Sequence, residues 1–243
     1  MHFLVLQHIE CEHPGIFRDL MKSGGTTWDA VELDEGESIP DFAGYDVMLV
    51  MGGPMDVWQT KEHPWLAGEI AAIERWVRAG KPYLGFCLGH QLLAEALGGK
   101  TGPAAQPEIG VMPVSLTAAG KVHWFFKDCP PHFETLQWHS AEVLQTPADA
   151  EILAASPACG VNAMGWGDCA VSVQFHVEIT ERTVGDWGEI PEYASALEAA
   201  LGQGALARIN QSAARNMPDF NRLSETLYRN FTAQIRQSRK GKN

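Results

Sequence analysis

The order of apolar and polar positions divides the first part of the chain into short strands and longer amphipathic helices. Strands are predicted at residues 2–9, 28–33, 46–51 and 82–86, and the nearly unbroken apolar run of the third is typical of a central strand covered on both faces of a sheet. Between the third and fourth strands, apolar residues at 66, 70, 73 and 77 alternate with charged ones, which predicts an amphipathic helix. A second such segment runs from Ile16 to Met21 and ends at Gly24. Strands that alternate with helices predict a parallel sheet with helices on its faces.

The chain between residues 98 and 174 is rich in strand-like runs and turns. Its runs predict mixed or antiparallel additions to the sheet, at residues 111–116, 121–126, 135–144, 152–155 and 161–166, followed by a clear strand at 170–176. From Thr180 to Gln237 the pattern is helical, with breaks predicted at 202–204 and at Pro218. We therefore divide the chain into an α/β domain, residues 1–185, and a helical extension, residues 186–243, that packs on it.

Composition argues against several classes of function. The formal charge of −12 does not suit a nucleic-acid surface, and no apolar run is long enough to span a membrane, so we expect neither partner. Residues 1–8 contain no basic leader and too short an apolar run for a signal peptide, which predicts a cytoplasmic protein. The five cysteines are odd in number and irregularly spaced. We therefore expect reduced thiols, with no disulfide framework, no metal and no cofactor.

Residues 81–94 carry the strongest sign of chemistry. A short apolar strand leads into Gly85-Phe86-Cys87-Leu88-Gly89 and straight out into a helix-compatible segment, which is the pattern of a nucleophile elbow. The flanking glycines would let the backbone pass close by, and the helix N-terminus would favour the Cys87 thiolate. The alternative is that Cys87 is a buried cysteine without a reaction to perform.

A cysteine nucleophile needs a base, and the base needs a group that orients it. His176 and Glu178 suit these roles, because residues i and i+2 of a strand lie on the same face. Taken alone, a His-x-Glu pair also arises by chance in a chain with nine histidines and 30 acidic residues.

Residues 52–54, Gly-Gly-Pro, follow the third predicted strand and offer backbone N–H groups for an oxyanion. We expect the N–H groups of Gly53 and Leu88 to form this oxyanion hole, in which each donor is worth roughly 3 kcal/mol. Without Cys87, the same residues would be interpreted as an ordinary turn after a strand.

Other candidates are weaker. Residues 98–101, Gly-Gly-Lys-Thr, lack the first glycine of a phosphate-binding loop, and they follow a helix where that loop follows a strand. Residues 8–13 hold two histidines, two glutamates and a cysteine, but their spacing fits no metal pattern and favours a structural or loop role. His90 lies beside Cys87 at the start of a helix and is expected to point away from it. Residues 58–65 could line a substrate entrance or cover the core.

Three segments together resemble the class I glutamine amidotransferases: residues 50–55, 84–91 and 174–180, in that order and at roughly the separations of the family. The resemblance covers roughly residues 45–180. Fainter matches extend it towards stand-alone members similar to the amidotransferase domain of guanosine-monophosphate synthetase, at residues 14–15, 35–37 and 108–110 and in the helical tail.

The resemblance implies a flavodoxin-like, three-layer α/β domain with a central, mostly parallel sheet, and a reaction in which glutamine loses its side-chain amide. By matching positions, Cys87 is the nucleophile, His176 the base and then the acid, and Glu178 the group that orients His176. Gly53 and Leu88 form the oxyanion hole in this assignment. The residues expected to contact the substrate are Gly52, Gln91, His139 and Ser140.

One position departs from the family pattern, which usually has proline between the catalytic histidine and glutamate. This chain has Val177 there. Because proline would stiffen the turn without contributing chemistry, we expect retained activity and a looser histidine–glutamate pair.

Three functions stay open at this point. The first is a glutaminase that passes ammonia to a separate synthetase or ammonia-acceptor subunit. The second is a γ-glutamyl peptidase or related cysteine hydrolase, with the same chemistry on another small-molecule substrate. The third is a non-catalytic binding module of the same fold.

Overall fold

A computed structural model describes residues 1–240, and its strands form one mixed sheet. The strands are β1 (His2–Gln7), β2 (Thr27–Glu32), β3 (Val47–Val50), β4 (Tyr83–Phe86), β5 (Lys100–Leu116), β6 (His132–Gln145), β7 (Ala150–Ala155), β8 (Ala163–Trp166) and β9 (Ala170–Val173).

The order of the strands across the sheet is β2-β1-β3-β4-β9-β8-β7-β5-β6. The strands from β2 to β9 in this order are parallel to one another, and those beyond β9 are antiparallel. The predicted α/β fold is therefore confirmed, including the antiparallel additions. The insertion of the late strand β9 beside β4 brings residues after 173 next to the segment that follows β4.

Seven α-helices accompany the sheet in the described residues: α1 (Phe17–Ser23), α2 (Trp65–Arg78), α3 (Leu88–Ala96), α4 (Ala118–Val122), α5 (Thr183–Gly188), α6 (Pro191–Leu201) and α7 (Ala205–Lys240). Helices α1 and α7 pack on one face of the sheet, and α2 and α3 pack on the other. A third apolar cluster joins α5, α6 and the first half of α7 to β5 and β6. This third cluster lies around the residues of the candidate site.

Alternation along the central strands explains why they are apolar throughout. In β1, Phe3 and Val5 contribute to the cluster on one face, while Leu4 and Leu6 contribute to the cluster on the other. All four side chains are at most 1% exposed. Both faces of a parallel sheet are covered by helices, so each position of such a strand must be apolar.

Two predicted elements are wrong. Residues 121–126 were expected to form a strand, but they belong to α4 and a 3-10 turn, Trp124–Phe126. Thr117 caps α4 by accepting a hydrogen bond from the N–H of Gly120 over 3.0 Å, and this local cap outweighs the strand preference of the apolar residues. The predicted break at Pro218 is also absent, because α7 continues through it. Burial of Met217 and Phe220 on either side outweighs the hydrogen bond that the proline cannot make.

The predicted strand at 170–176 ends early, since β9 stops at Val173. His176 nevertheless pairs with Leu136 of β6 in an isolated antiparallel bridge, so its position is fixed by the sheet.

The helical extension contacts the α/β part extensively. Leu223, Leu227, Phe231 and Ile235 of α7 lie in the same apolar cluster as β1, β3 and β4. The boundary at residue 185 stays a prediction, and residues 241–243 of the proposed extension lie outside the described part of the chain. Within residues 1–240, no helix combines the length and the apolar character needed to cross a bilayer.

Candidate active site

Cys87 occupies a strained position between a strand and a helix. Strand β4 ends at Phe86, α3 begins at Leu88, and Cys87 between them has a φ of 47° and a ψ of −102°. A positive φ is uncommon for a residue with a side chain, and such strain is concentrated at functional sites. The N–H of Cys87 donates to the carbonyl oxygen of Val173 over 2.9 Å, which ties the turn to β9.

The glycines on either side of the turn allow its backbone to pack closely. A Cβ atom at Gly85 would lie 2.6 Å from the carbonyl oxygen of Gly89, and one at Gly89 would lie 2.4 Å from that of Val50. Real Cβ atoms do not approach backbone oxygens so closely, so neither position accepts a larger residue without movement of the backbone. The geometry is the tight strand-to-helix turn expected for residues 85–89.

His176 and Glu178 form a short, buried pair. His176 Nδ1 lies 2.6 Å from Glu178 Oε1, and the two side chains are 1% and 2% exposed. The N–H of Val177 donates to Glu178 Oε2 over 2.9 Å. Valine supplies a backbone donor that proline lacks, and the expectation of a looser pair than in the family stays a prediction.

The charge environment favours a protonated imidazole at His176. Burial by itself lowers the pKa of His176, but the charge and hydrogen bond of Glu178 and the nearby Cys87 side chain outweigh it, so the pKa lies well above its usual range. The second ring nitrogen, Nε2, is buried and makes no hydrogen bond of ordinary geometry to the described residues. Glu178 takes Nδ1, and Nε2 is therefore the nitrogen left for proton transfer.

A small cavity opens beside Cys87, with a volume of about 70 Å³. The predicted site residues that line it together with Cys87 are Gly53, Leu88, Gln91, His139 and Ser140. Gly52 is not among the lining residues. Its carbonyl oxygen lies 2.8 Å from His8 Nδ1, and a Cβ atom at Gly52 would lie 2.6 Å from Glu12 Oε2. The structure thus brings Gly53, but not Gly52, to the wall of the cavity.

The amide of Gln91 is linked to Cys87 through a second glutamine. Gln91 Nε2 donates to Gln174 Oε1 over 3.1 Å, and Gln174 Nε2 donates to Cys87 Sγ over 3.5 Å. Gln91 Nε2 also lies 3.2 Å from the carbonyl oxygen of Ala141. Gln174 belongs to the same segment as His176, so one short stretch of chain contacts the thiol and supplies the predicted base.

His139 is held by a buried acid on the neighbouring strand. His139 Nδ1 donates to the carbonyl oxygen of Ala141 over 3.0 Å, and Nε2 lies 3.2 Å from Glu108 Oε2. Burial raises the pKa of Glu108, but hydrogen bonds from His139, Ser156 and Asn162 outweigh it and leave that pKa below its usual range. Glu108 therefore lies against the Nε2 edge of His139 and helps to fix that ring at the cavity wall.

His90 faces away from the thiol, as expected. Its Nδ1 lies 2.8 Å from Ser172 Oγ, and its Nε2 lies 3.0 Å from the carbonyl oxygen of Val161. Burial lowers the pKa of His90 to about 3, so the imidazole is neutral and cannot serve as a proton donor near neutral pH.

Of residues 58–65, Trp65 stacks on His8 with ring centroids 5.4 Å apart, and Trp58 is 45% exposed.

Sequence reasoning missed Glu12, which lies beside the histidine–glutamate pair. One carboxylate oxygen of Glu12 lies within 4.8 Å of ligand-capable atoms of both His176 and Glu178. The Tyr193 hydroxyl donates to Glu12 Oε1 over 2.5 Å. Burial raises the pKa of Glu12 above its usual value, although His176 and this hydrogen bond act to lower that pKa. The signal that could have identified Glu12 is its place after β1, since sites of α/β proteins lie at the carboxyl ends of parallel strands.

Aromatic side chains from the helical extension cover the same residues. The Trp187 ring of α5 meets the His176 ring edge-on, with centroids 4.6 Å apart. Tyr193 of α6 lies 5.8 Å from Trp187 and lines the cavity with Cys87. No pattern in the sequence distinguishes these two aromatic residues from ordinary core positions.

Two groups of side chains among the described residues have the composition of a metal site. One is Glu12, His176 and Glu178, and the other is Glu108, His139 and Cys159. In both groups the acids already hold hydrogen bonds or ion pairs from protein groups, among them Tyr193 on Glu12 and Ser156 on Glu108. These bonds account for the clustering without an ion.

Comparison with known protein families gives a match over most of the chain. The family model described as glutamine amidotransferase class-I matches residues 15–186. In the solved structures, a glutamine amidotransferase of Thermotoga maritima aligns with a TM-score of 0.85 and 26% sequence identity, over 97% of this chain and 98% of that one.

Three curated proteins illustrate the range of relatives. A GMP synthase (glutamine-hydrolyzing) of Aeropyrum pernix is 33% identical over 171 residues, which cover 70% of this chain but only 30% of that protein. The glutamine amidotransferase-like protein YfeJ of Salmonella typhimurium is 28% identical over 233 residues, or 94% of each chain. The gamma-glutamyl peptidase 4 of Arabidopsis thaliana is 29% identical over 168 residues, or 67% of this chain and 66% of that protein.

Proposed function

Because the chain belongs to the class I glutamine amidotransferases, we propose that it hydrolyses the side-chain amide of glutamine to glutamate and ammonia through a thioester on Cys87. One observation carries the proposal. The strained Cys87 turn opens on a cavity whose wall contains Gly53 and Leu88, while the 2.6 Å pair of His176 and Glu178 lies beside the thiol.

In the first half-reaction, the thiolate of Cys87 attacks the amide carbon of glutamine. The oxygen becomes negative as the C–S bond forms, and the N–H groups of Gly53 and Leu88 stabilise it. The C–N bond then breaks, and His176 gives the Nε2 proton to the departing nitrogen. Ammonia leaves, and the glutamyl group stays on Cys87 as a thioester.

In the second half-reaction, water attacks the thioester carbon. His176, now neutral, takes a proton from the water at Nε2 and returns it to sulfur as the C–S bond breaks. The products are glutamate and the free thiol. Glu178 contributes by orienting the imidazole and stabilising its protonated form, because it accepts the Nδ1–H bond throughout.

The glutamyl end of the substrate is proposed to lie along the cavity wall formed by Gln91, His139 and Ser140. His139 is buried and fixed by Glu108, whereas Ser140 is exposed. Gly52 was also expected to contact substrate, and in this proposal it acts indirectly, by leaving room for Glu12.

The first test is release of glutamate and ammonia from glutamine by the purified chain and by its Cys87→Ala variant. Cys129→Ala is the matched control, since Cys129 is a partly buried cysteine outside the cavity. We expect the control to keep the wild-type rate and Cys87→Ala to lose activity. Turnover that survives in Cys87→Ala would remove this residue from the mechanism.

A second candidate function is that of a γ-glutamyl peptidase. It is supported by the similarity to the Arabidopsis protein, which extends over about two thirds of both chains. The same nucleophile, base and oxyanion hole would serve a γ-glutamyl bond to an amino acid. Parallel assays with free glutamine and γ-glutamyl dipeptides separate the two functions. Cleavage of dipeptides alone would replace the main proposal with this one.

A non-catalytic role makes a different prediction. Incubation with an electrophilic glutamine analogue, followed by mass spectrometry of peptides, should show an adduct on Cys87 if the site is active. Absence of the adduct in a folded protein would favour the binding module.

We further propose a cytoplasmic protein whose ammonia is used by a synthetase or other acceptor site outside residues 1–243. The support is that the chain spans 30% of the GMP synthase that it matches, so most of that protein has no counterpart here. Co-purification from native cells, with glutaminase activity measured with and without the bound protein, tests the partner. A chain that is fully active and recovered alone would count against it.

A further inference from the structure

Helix α6 carries Tyr193 into the cavity next to the nucleophile. Tyr193 lines the cavity with Cys87, and its hydroxyl donates to Glu12 Oε1 over 2.5 Å. The two partners are 181 positions apart in the chain and are 8% and 2% exposed, respectively. A buried hydrogen bond to a carboxyl group fixes the ring in one orientation.

Tyr193 lies between the wall assigned to the glutamyl portion and the proton donor, because its ring centroid is 5.9 Å from that of Trp138 and its hydroxyl bonds Glu12. The glutamyl portion is assigned to Gln91, His139 and Ser140, and the amine must depart towards the proton donor His176. Glu12, which anchors Tyr193, lies within 4.8 Å of ligand-capable atoms of His176. Trp187 closes the same region, because its ring meets that of His176 at 4.6 Å.

The protonation state of Tyr193 suits this anchoring role. Burial, together with the charges of Glu12 and Cys87, raises the pKa of Tyr193 well above its usual value. The hydroxyl therefore remains a donor.

Resting on the proposed hydrolysis of γ-glutamyl amides at Cys87, we propose that Tyr193, anchored by Glu12, closes the leaving-group side of the cavity and restricts the departing amine to ammonia. The substrate is then free glutamine, and larger γ-glutamyl compounds are excluded by contact with the ring.

The test is a series of γ-glutamyl amides that differ only in the amine: glutamine, γ-glutamylmethylamide, γ-glutamylethylamide and γ-glutamylglycine. Release of glutamate is measured for the wild type and for Tyr193→Ala. One methylene group in a tight pocket changes kcat/KM by about tenfold or more, so the wild-type values should fall steeply along the series. In Tyr193→Ala the ratio of γ-glutamylglycine to glutamine turnover should rise by about tenfold or more.

Tyr228→Ala is the matched control. Tyr228 has the same 8% exposure and bonds Thr26 through its hydroxyl, but it belongs to α7 and does not line the cavity. Its replacement should leave the selectivity ratio at the wild-type value. An equal change in both variants would show a general loosening of the fold and would overturn the proposal.

Tyr193→Phe keeps the ring but removes the hydrogen bond to Glu12, and it replaces Tyr193→Ala as the test if that variant does not fold. Loss of the bond should raise the ratio of γ-glutamylglycine to glutamine turnover above that of the wild type, but by less than in Tyr193→Ala. An unchanged ratio in a folded, glutamine-hydrolysing variant overturns this inference alone. If the wild type cleaves the larger amides but not glutamine, both the inference and the proposed glutaminase function fail.

Discussion

The backbone N–H of Val177 donates a hydrogen bond to Glu178 Oε2 over 2.9 Å, while Glu178 Oε1 lies 2.6 Å from His176 Nδ1. Each carboxylate oxygen therefore has its own donor, and the carboxyl plane cannot rotate without losing one bond. The position between histidine and glutamate, usually proline in the family, contributes to the geometry of the pair in this chain.

Val177→Pro removes that donor. Hydrogen bonds to charged groups are worth about 1.5–3 kcal/mol, so we expect kcat/KM for glutamine to fall about tenfold or more. Val177→Ala keeps the N–H and loses only apolar contacts, which makes it the control. Equal kcat/KM values for Val177→Pro and the wild type would show that the bond has no catalytic consequence.

Glu178→Gln keeps the shape of the side chain but removes its charge. We expect kcat to fall by a factor on the order of 10³–10⁴, because the imidazole is no longer held and stabilised as a cation. The measurement is steady-state glutaminase activity, with circular dichroism to verify the fold. A loss of less than tenfold would mean that Glu178 does not orient the base.

The turn around Cys87 predicts a contrast between two glycines. Gly89→Ala places a Cβ atom 2.4 Å from the carbonyl oxygen of Val50, whereas a Cβ atom at Gly68 in α2 meets nothing within 4 Å. We expect Gly89→Ala to lower the free energy of unfolding by several kcal/mol, and Gly68→Ala to raise it by about 0.5–1 kcal/mol. Denaturant titration of both variants checks the pair, and similar effects at the two positions would contradict the close approach.

The protonated His176 should stabilise the fold in a pH-dependent way. Burial lowers its pKa, but Glu178 and Cys87 outweigh burial and raise the pKa well above the 6.5 of an unperturbed histidine. The stabilisation is complete below about pH 6.5 and is lost as the pH rises through the raised pKa. The difference in unfolding free energy between the wild type and His176→Gln should therefore shrink with increasing pH. A constant difference across this range would contradict a raised pKa, and in Glu178→Gln the dependence should weaken.

The residues around Cys87 were predictable because their demands are local. The turn requires glycine at positions 85 and 89, so both glycines can be recognised within five consecutive residues. His176 and Glu178 share a face because they are two positions apart. The alternation of apolar strands and amphipathic helices likewise predicted the parallel part of the sheet. The segment at residues 121–126 was predicted wrongly because a single cap at Thr117 and burial in the core outweighed its strand-like composition.

The sequence by itself determined the tight turn at Cys87, the histidine–glutamate spacing and the class of fold, since each follows from backbone geometry and burial over a few neighbouring residues. Only the tertiary structure decided that β9 lies beside β4, that Glu12 lies next to His176, and that Tyr193 reaches the cavity from a helix 181 positions further along the chain than its partner. These contacts join residues that are far apart in the sequence, and they form because the whole chain packs so that these groups are buried together. A short stretch of sequence therefore cannot predict them.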